Sequence, residues 1–197
     1  VRPASYCGLV GIKATFGRIS TRGVMALSYT QDHVGLMARS VEDIALGLSV
    51  VAGHDPADPS SSREPVPDYL GALTRRRAPR IGLLREFFFE RATPEVARIT
   101  AQAVERLGRA GATVEEAKLP ASFRAVHAAA NLIVRADTAC IHAELHAEKA
   151  ELYRPAIRGM IETGMLIPGD VYLRSLRVRR QFRRELFPLL ERYDVLA

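Results

Sequence analysis

"RIGLLREFFFERATPEVARITAQAVERLGRAGATVEEAKLP" (Arg80–Pro120) decides the fold class. Arg80–Leu84 is a short apolar run of strand length. Thr93-Pro94-Glu95 is a helix start. It sets a capping hydroxyl before a proline whose missing N–H is not needed in the first turn, and an acid follows where the helix dipole favours it. That helix should run to Gly108 or Gly111, and "ATVEEAKLP" is then a second strand. Strand, helix, strand in this rhythm argues an α/β fold.

Upstream, residues 1–35 are rich in Gly, Ser and Thr and broken at Gly8, Gly11 and Gly17, so they read as strand or loop with no helical period. Ser40 caps a helix with Glu42 and Asp43 in its first turn, an apolar stripe of Val41, Ile44, Leu48 and Val51, and Gly53 at its end. "HDPADPSSSREPVP" (54–67) is too rich in Pro and Ser for regular structure. Downstream, residues 121–148 read as one Ala-rich helix, and a second long helix runs from Asp170 to Arg192 with a kink expected at Pro188. "YDVLA" opens a further strand. The chain begins "VRPASYCG", without Met, and stops inside that strand, so it is expected to be an excerpt of a longer protein.

The chain has 197 residues, 48% of them apolar, enough for one globular domain or a large part of one. No stretch approaches the roughly 20 apolar residues of a membrane span. Two cysteines, Cys7 and Cys140, make no disulfide framework and show no metal-ligand spacing, which makes the cytoplasm the default compartment. The net charge of +6 is carried by 25 Arg against three Lys. High Arg with high Ala also follows from codon bias, so charge alone makes no case for a nucleic-acid partner.

Helical geometry of 100° per residue sorts the arginines of the last helix. Val171, Tyr172, Leu176, Val178, Phe182, Leu186 and Leu189 share one arc, with Arg174, Arg177, Arg180 and Arg184 outside it. Arg179 falls inside. A buried guanidinium requires an anion. It is either an internal carboxylate or a substrate carboxylate held bidentately. Asp137, on the apolar arc of the preceding helix with Val126, Ile133, Val134 and Ile141, is a candidate internal partner. His142 and His146 are one turn apart, the spacing of a metal pair. They lack an H-E-x-x-H motif and a third ligand and lie off that arc, so they read as a surface pair with no metal.

"RPASYCGLVGIKATFGRIS", "DHVGLMARSVEDIALGLSVVAGHDPADPSSS" and the last third, from "ELYRPAIR" through "YLRSLRVRRQFRREL" to "YDVL", together resemble the amidase signature family. The resemblance covers essentially the whole chain and implies a twisted mixed β-sheet covered by α-helices. Residues 1–197 would be the central-to-C-terminal portion of a single such domain, truncated at both ends. It also implies carboxamide hydrolysis by a Ser–cis-Ser–Lys triad. The nucleophilic serine attacks the carbonyl, the cis-serine relays its proton to and from a neutral lysine, and a Gly-rich loop holds the oxyanion of an acyl-enzyme pathway.

In the family the nucleophile lies just before the point where this chain begins, and the rest of the triad lies further upstream. No catalytic residue is therefore expected within 1–197. Ser5 belongs to the segment after the nucleophile, and Lys13 to the G-x-K that follows. An extended strand would set them about 26 Å apart, so they form no dyad. What carries over is the substrate side. Arg2 adjoins Pro3 as in malonamidase-like members, where this arginine holds a substrate carboxylate, and a structural ion pair is the alternative. Arg179 matches the long-helix arginine that binds the glutamine carboxylate in amidotransferase A subunits. Asp137 matches a position where relatives carry Glu and is expected to support Arg179. Cys7 is expected to be a small buried residue. Leu36 stands where Pro is usual, a change expected to alter a turn beside the sheet and not the chemistry.

Three readings follow from the resemblance. The first is a bacterial amidase acting on a small-molecule amide that bears a carboxylate, with a homodimer as one form of the parent. The second is the A subunit of the tRNA-dependent amidotransferase complex, which the Arg2–Pro3 register disfavours. The third is an inactive fragment or Arg-rich binding module. None needs a cofactor, a metal or a membrane. Taken alone, residues 1–197 are expected to fold poorly and to hydrolyse no amide.

Overall fold

The computed structural model describes residues 1–74 and 77–197. In chain order the elements are α1 (Arg2–Tyr6), β1 (Val10–Lys13), β2 (Gly35–Ala38), α2 (Val41–Val51), α3 (Tyr69–Ala72), β3 (Arg80–Leu83) and α4 (Phe88–Arg91). They continue with α5 (Pro94–Arg109), β4 (Thr113–Glu116), α6 (Phe123–Ile141), α7 (Ala143–Lys149), α8 (Pro155–Met165), α9 (Gly169–Arg192) and β5 (Val195–Leu196). Two compact units result, residues 1–76 with 134–166 and residues 77–133 with 167–197.

In the first unit, β1 and β2 pair antiparallel, with Val10 opposite Ala38 and Ile12 opposite Leu36. The alternation of strand side chains sends Val10, Ile12, Leu36 and Ala38 toward one face. There they pack on Ala14, Ile19, Ile44 and Leu48, the last two from α2. Ser40 accepts a hydrogen bond from the Asp43 amide and starts α2 as its sequence requires. The Pro/Ser-rich connection has no regular structure, yet it is tightly tied. Asp58 accepts from the Thr21 amide at 2.8 Å, and Asp55 accepts from the Ser20 hydroxyl at 2.8 Å. The Arg18 guanidinium donates to the carbonyls of Glu64 and Pro65. Ile161 of α8 is fully buried.

In the second unit, β4, β3 and β5 form a parallel sheet in that order. Ile81 stands opposite both Val114 and Val195. Ile81, Leu83 and Leu84 are buried, as expected of a strand covered on both faces. A Cβ on Gly82 would stand 2.7 Å from Tyr193 Cδ2, so glycine lets the aromatic ring lie against the strand. Tyr193 packs with Leu84 and Ala117. Asp194 closes the register by accepting from the Arg80 amide at 2.8 Å.

The α/β class, both strands of the Arg80–Pro120 unit, the Ser40 and Thr93 caps, the Asp170–Arg192 helix and the terminal strand are all observed. Four readings change. Residues 2–6 form a one-turn helix opened by Pro3, too short to show a period. The helix expected over 121–148 is interrupted at His142, whose φ of −98° and ψ of 8° leave the helical region. The core stripe of α2 is Ile44, Ala45 and Leu48, with Val41 and Val51 exposed. Leu36 sits within β2 rather than in a turn, and its Cδ1 reaches α2 where Gly47 leaves room.

Candidate functional site

The opening segment places Arg2 in the first turn of α1 with its side chain exposed. Ala4 is buried against Gly11 of β1, and this contact fixes α1 on the strand. Ser5 Oγ donates to the Arg2 carbonyl at 2.8 Å, a local cap-type bond that engages its proton. Lys13 is exposed at the far end of β1. Cys7, expected to be buried, is exposed: it caps the C-terminus of α1, where Gly8 (φ +64°) turns the chain away.

Asp137 is half-buried on α6 and accepts hydrogen bonds from the hydroxyls of Ser28 and Thr30, the second at 3.5 Å. Ser28 is wholly buried, so this serine–carboxylate pair ties its loop to the helix. Thr138 on the same helix and His142 just past its end continue the tether. Thr138 Oγ1 donates to the Leu27 carbonyl at 2.9 Å, and His142 Nε2 lies 2.9 Å from the Ala26 carbonyl. His142 Nδ1 is 2.9 Å from the Tyr153 hydroxyl. The loop fastens itself from within: Asp32 accepts from the amides of Leu27 (2.8 Å) and Ser28 (3.0 Å). The segment 26–32 is thereby held along α6.

His142 and His146 are therefore not the surface pair expected from their spacing. His142 is only 4% exposed, and His146 is half-buried with Nε2 3.6 Å from Glu162. Glu162 is held below the ordinary carboxylate range, mainly by the hydrogen bond from Arg158. The apolar arc misses these residues because no residue from Leu132 to Ala139 is exposed: the helix is covered on all sides, and polar side chains are buried with apolar ones. The available signal was the Thr138–His142 spacing of one turn within an otherwise apolar stretch.

Arg179, on α9, is half-buried, whereas Arg174, Arg177, Arg180 and Arg184 are exposed, as the helical wheel requires. Arg2 and Asp137 belong to the first unit and Arg179 to the second. The end of α9 is fixed by Arg192, which donates to Glu115 at 2.6 Å and holds that carboxyl below its usual range. Among the described residues no three His, Cys, Asp or Glu side chains group so as to hold a metal ion. No described helix is long and apolar enough to cross a membrane.

The family model for amidases matches residues 1–197. An amidase of Pseudomonas putida is 36% identical over 98% of this chain and 42% of its own length. The A subunit of the glutamyl-tRNA(Gln) amidotransferase of Moorella thermoacetica is 35% identical over 100% of this chain and 45% of its own. Among solved structures, a chain from a vestigial complex bearing on the origins of an s-triazine catabolic enzyme superposes with a TM-score of 0.89 at 31% identity, over 98% of this chain and 42% of that one. A 6-aminohexanoate cyclic dimer hydrolase superposes with a TM-score of 0.80 at 25% identity, over 97% and 42%. The chain thus spans less than half the length of these relatives. With a family model matched from its first residue to its last, the chain belongs to the amidase family.

Proposed function

We propose that the protein containing this chain hydrolyses the C–N bond of a carboxamide through a Ser–cis-Ser–Lys triad and an acyl-enzyme, with the triad outside residues 1–197. The observation that carries the reading is the amidase match across the whole chain. In this reading residues 1–197 are the central-to-C-terminal part of one cytoplasmic domain. Arg2 and Arg179 meet a carboxylate on the substrate, and Asp137 supports Arg179 while anchoring segment 26–32. A forked guanidinium suits that task because it is always charged and binds carboxylates bidentately.

The test is ammonia release from a panel of acidic and neutral carboxamides by the full-length protein, with mass spectrometry of the acylated enzyme. Turnover with one acyl adduct on a serine outside residues 1–197 is expected. Absence of both would overturn the reading, and specific hydrolysis by residues 1–197 alone would overturn the placement of the triad.

A second reading, the A subunit of a tRNA-dependent amidotransferase, is favoured by the match of the Moorella protein along the whole of this chain. It predicts co-purification with other subunits of such a complex and glutamine-dependent amidation of charged tRNA. A protein that hydrolyses amides as a monomer or homodimer excludes it.

A further inference from the structure

The three strands of the β4–β3–β5 sheet run parallel, so their carboxyl ends share one edge. Beyond that edge, where successive connections part, open parallel sheets seat their ligands. The chain leaving β3 and the chain leaving β4 part in this way, and together with the first half of α6 they line an open cleft of about 1010 Å³. That is the size of a small-molecule site, for which about 300–1,000 Å³ is usual.

The chemistry of the lining is divided. Glu86, Glu90 and Arg91 come from the β3 side; Arg124 and His127, one turn apart, come from α6. Phe87 and Phe123 supply the apolar part, their rings meeting edge to face at 5.0 Å between centroids. Phe87 takes a φ of +67°, a region bulky side chains rarely occupy, and the Arg91 guanidinium lies 4.4 Å from the centre of its ring. An aromatic residue held in a costly backbone conformation at a cleft is a feature that recurs at ligand sites.

We propose that this cleft binds a zwitterionic small molecule with an apolar body. Its ammonium group faces Glu86 and Glu90, its carboxylate faces Arg124 and His127, and its hydrocarbon lies on Phe87 and Phe123. With Arg91 turned onto the Phe87 ring, the two acids of one side and the two bases of α6 reward a ligand carrying both charges over one carrying either. The proposal concerns binding alone and does not rest on the amidase reading.

The experiment is calorimetric titration of the full-length protein, at low salt, with three probes of one chain length: 5-aminopentanoate, pentanoate and pentylamine. None has an amide bond, so turnover cannot enter, and failure here leaves the amidase reading untouched. The zwitterion should bind at least fivefold more tightly than either singly charged probe, and the difference should shrink with added salt. Glu86→Gln with Glu90→Gln should bring 5-aminopentanoate to the level of pentanoate, and Arg124→Gln should bring it to that of pentylamine. These side chains are exposed in residues 1–197, and far-UV circular dichroism of each variant checks that its fold is intact. Equal binding of the three probes, no saturable binding, or a preference that survives the substitutions would overturn the proposal.

Discussion

A methyl group placed on Gly11 would stand 2.5 Å from Cβ of Ala4, closer than two carbon atoms can approach. The helix carrying Arg2 and the first strand are thus joined by a contact only glycine permits. Gly11→Ala should force α1 off the strand and lower stability by about 1–3 kcal/mol, the usual cost of overpacking. Thermal unfolding of the full-length protein reads it. An unchanged midpoint would show that α1 shifts freely.

His142 bridges the Ala26 carbonyl and the Tyr153 hydroxyl while almost fully buried. His142→Ala removes both bonds and opens a void, at about 2–4 kcal/mol by analogy with other buried truncations. The loss should be local first. Limited proteolysis should cut segment 26–32 faster in the variant, and cleavage at the wild-type rate would show that Ser28, Thr138 and Asp32 suffice to hold it.

Asp58 accepts from the amides of Thr21 and Ser60, both at 2.8 Å, and these bonds hold its carboxyl below the ordinary range. A depressed folded-state pKa makes the contribution full above the unfolded value of about 3.9 and lost as the pH falls through the folded one. Asp58→Asn should therefore lower the unfolding midpoint at pH 7, and the gap to wild type should close as the pH drops below about 4. A gap of constant size from pH 7 to pH 3 would place the effect outside the carboxylate's charge.

Arg179 is the one half-buried member of its arginine-rich turn, between exposed Arg177 and Arg180. If it meets a substrate carboxylate, Arg179→Ala in the full-length protein should cost at least tenfold more in kcat/KM on acidic amides than on neutral ones. Arg2→Ala should show the same bias. Equal losses on both substrate types would assign these residues to structural ion pairs instead.

Local signals carried far into this fold. Thr93-Pro94-Glu95 and Ser40 specify helix starts through hydroxyls that reach only three residues along the chain, and both caps form as the residues dictate. The alternation of apolar runs with the α5 pattern argued for an α/β unit, and β3 and β4 do pair in parallel across that helix. The residues "RPASYCGLVGIK" had a different standing. Their Ser, Cys and Lys resemble reactive groups in isolation, yet Ser5 is engaged with its own turn and Cys7 and Lys13 face outward.

The sequence by itself determined the class, the strand–helix–strand order of Arg80–Pro120 and the family, since caps, periods and signature segments act over a few residues and survive without their surroundings. It also separated Arg179 from its exposed neighbours, because one covered face is enough for the helical period to work. Only the tertiary structure decided what α6 does. Its stretch from Leu132 to Ala139 is covered on every side, so its period carries no information there, and the loop partners of Asp137, Thr138 and His142 lie more than a hundred residues away in segment 26–30. Long-range hydrogen bonds of this kind leave no trace in local spacing, and they make His142, which reads as a surface base, an anchor of one loop beside Asp137.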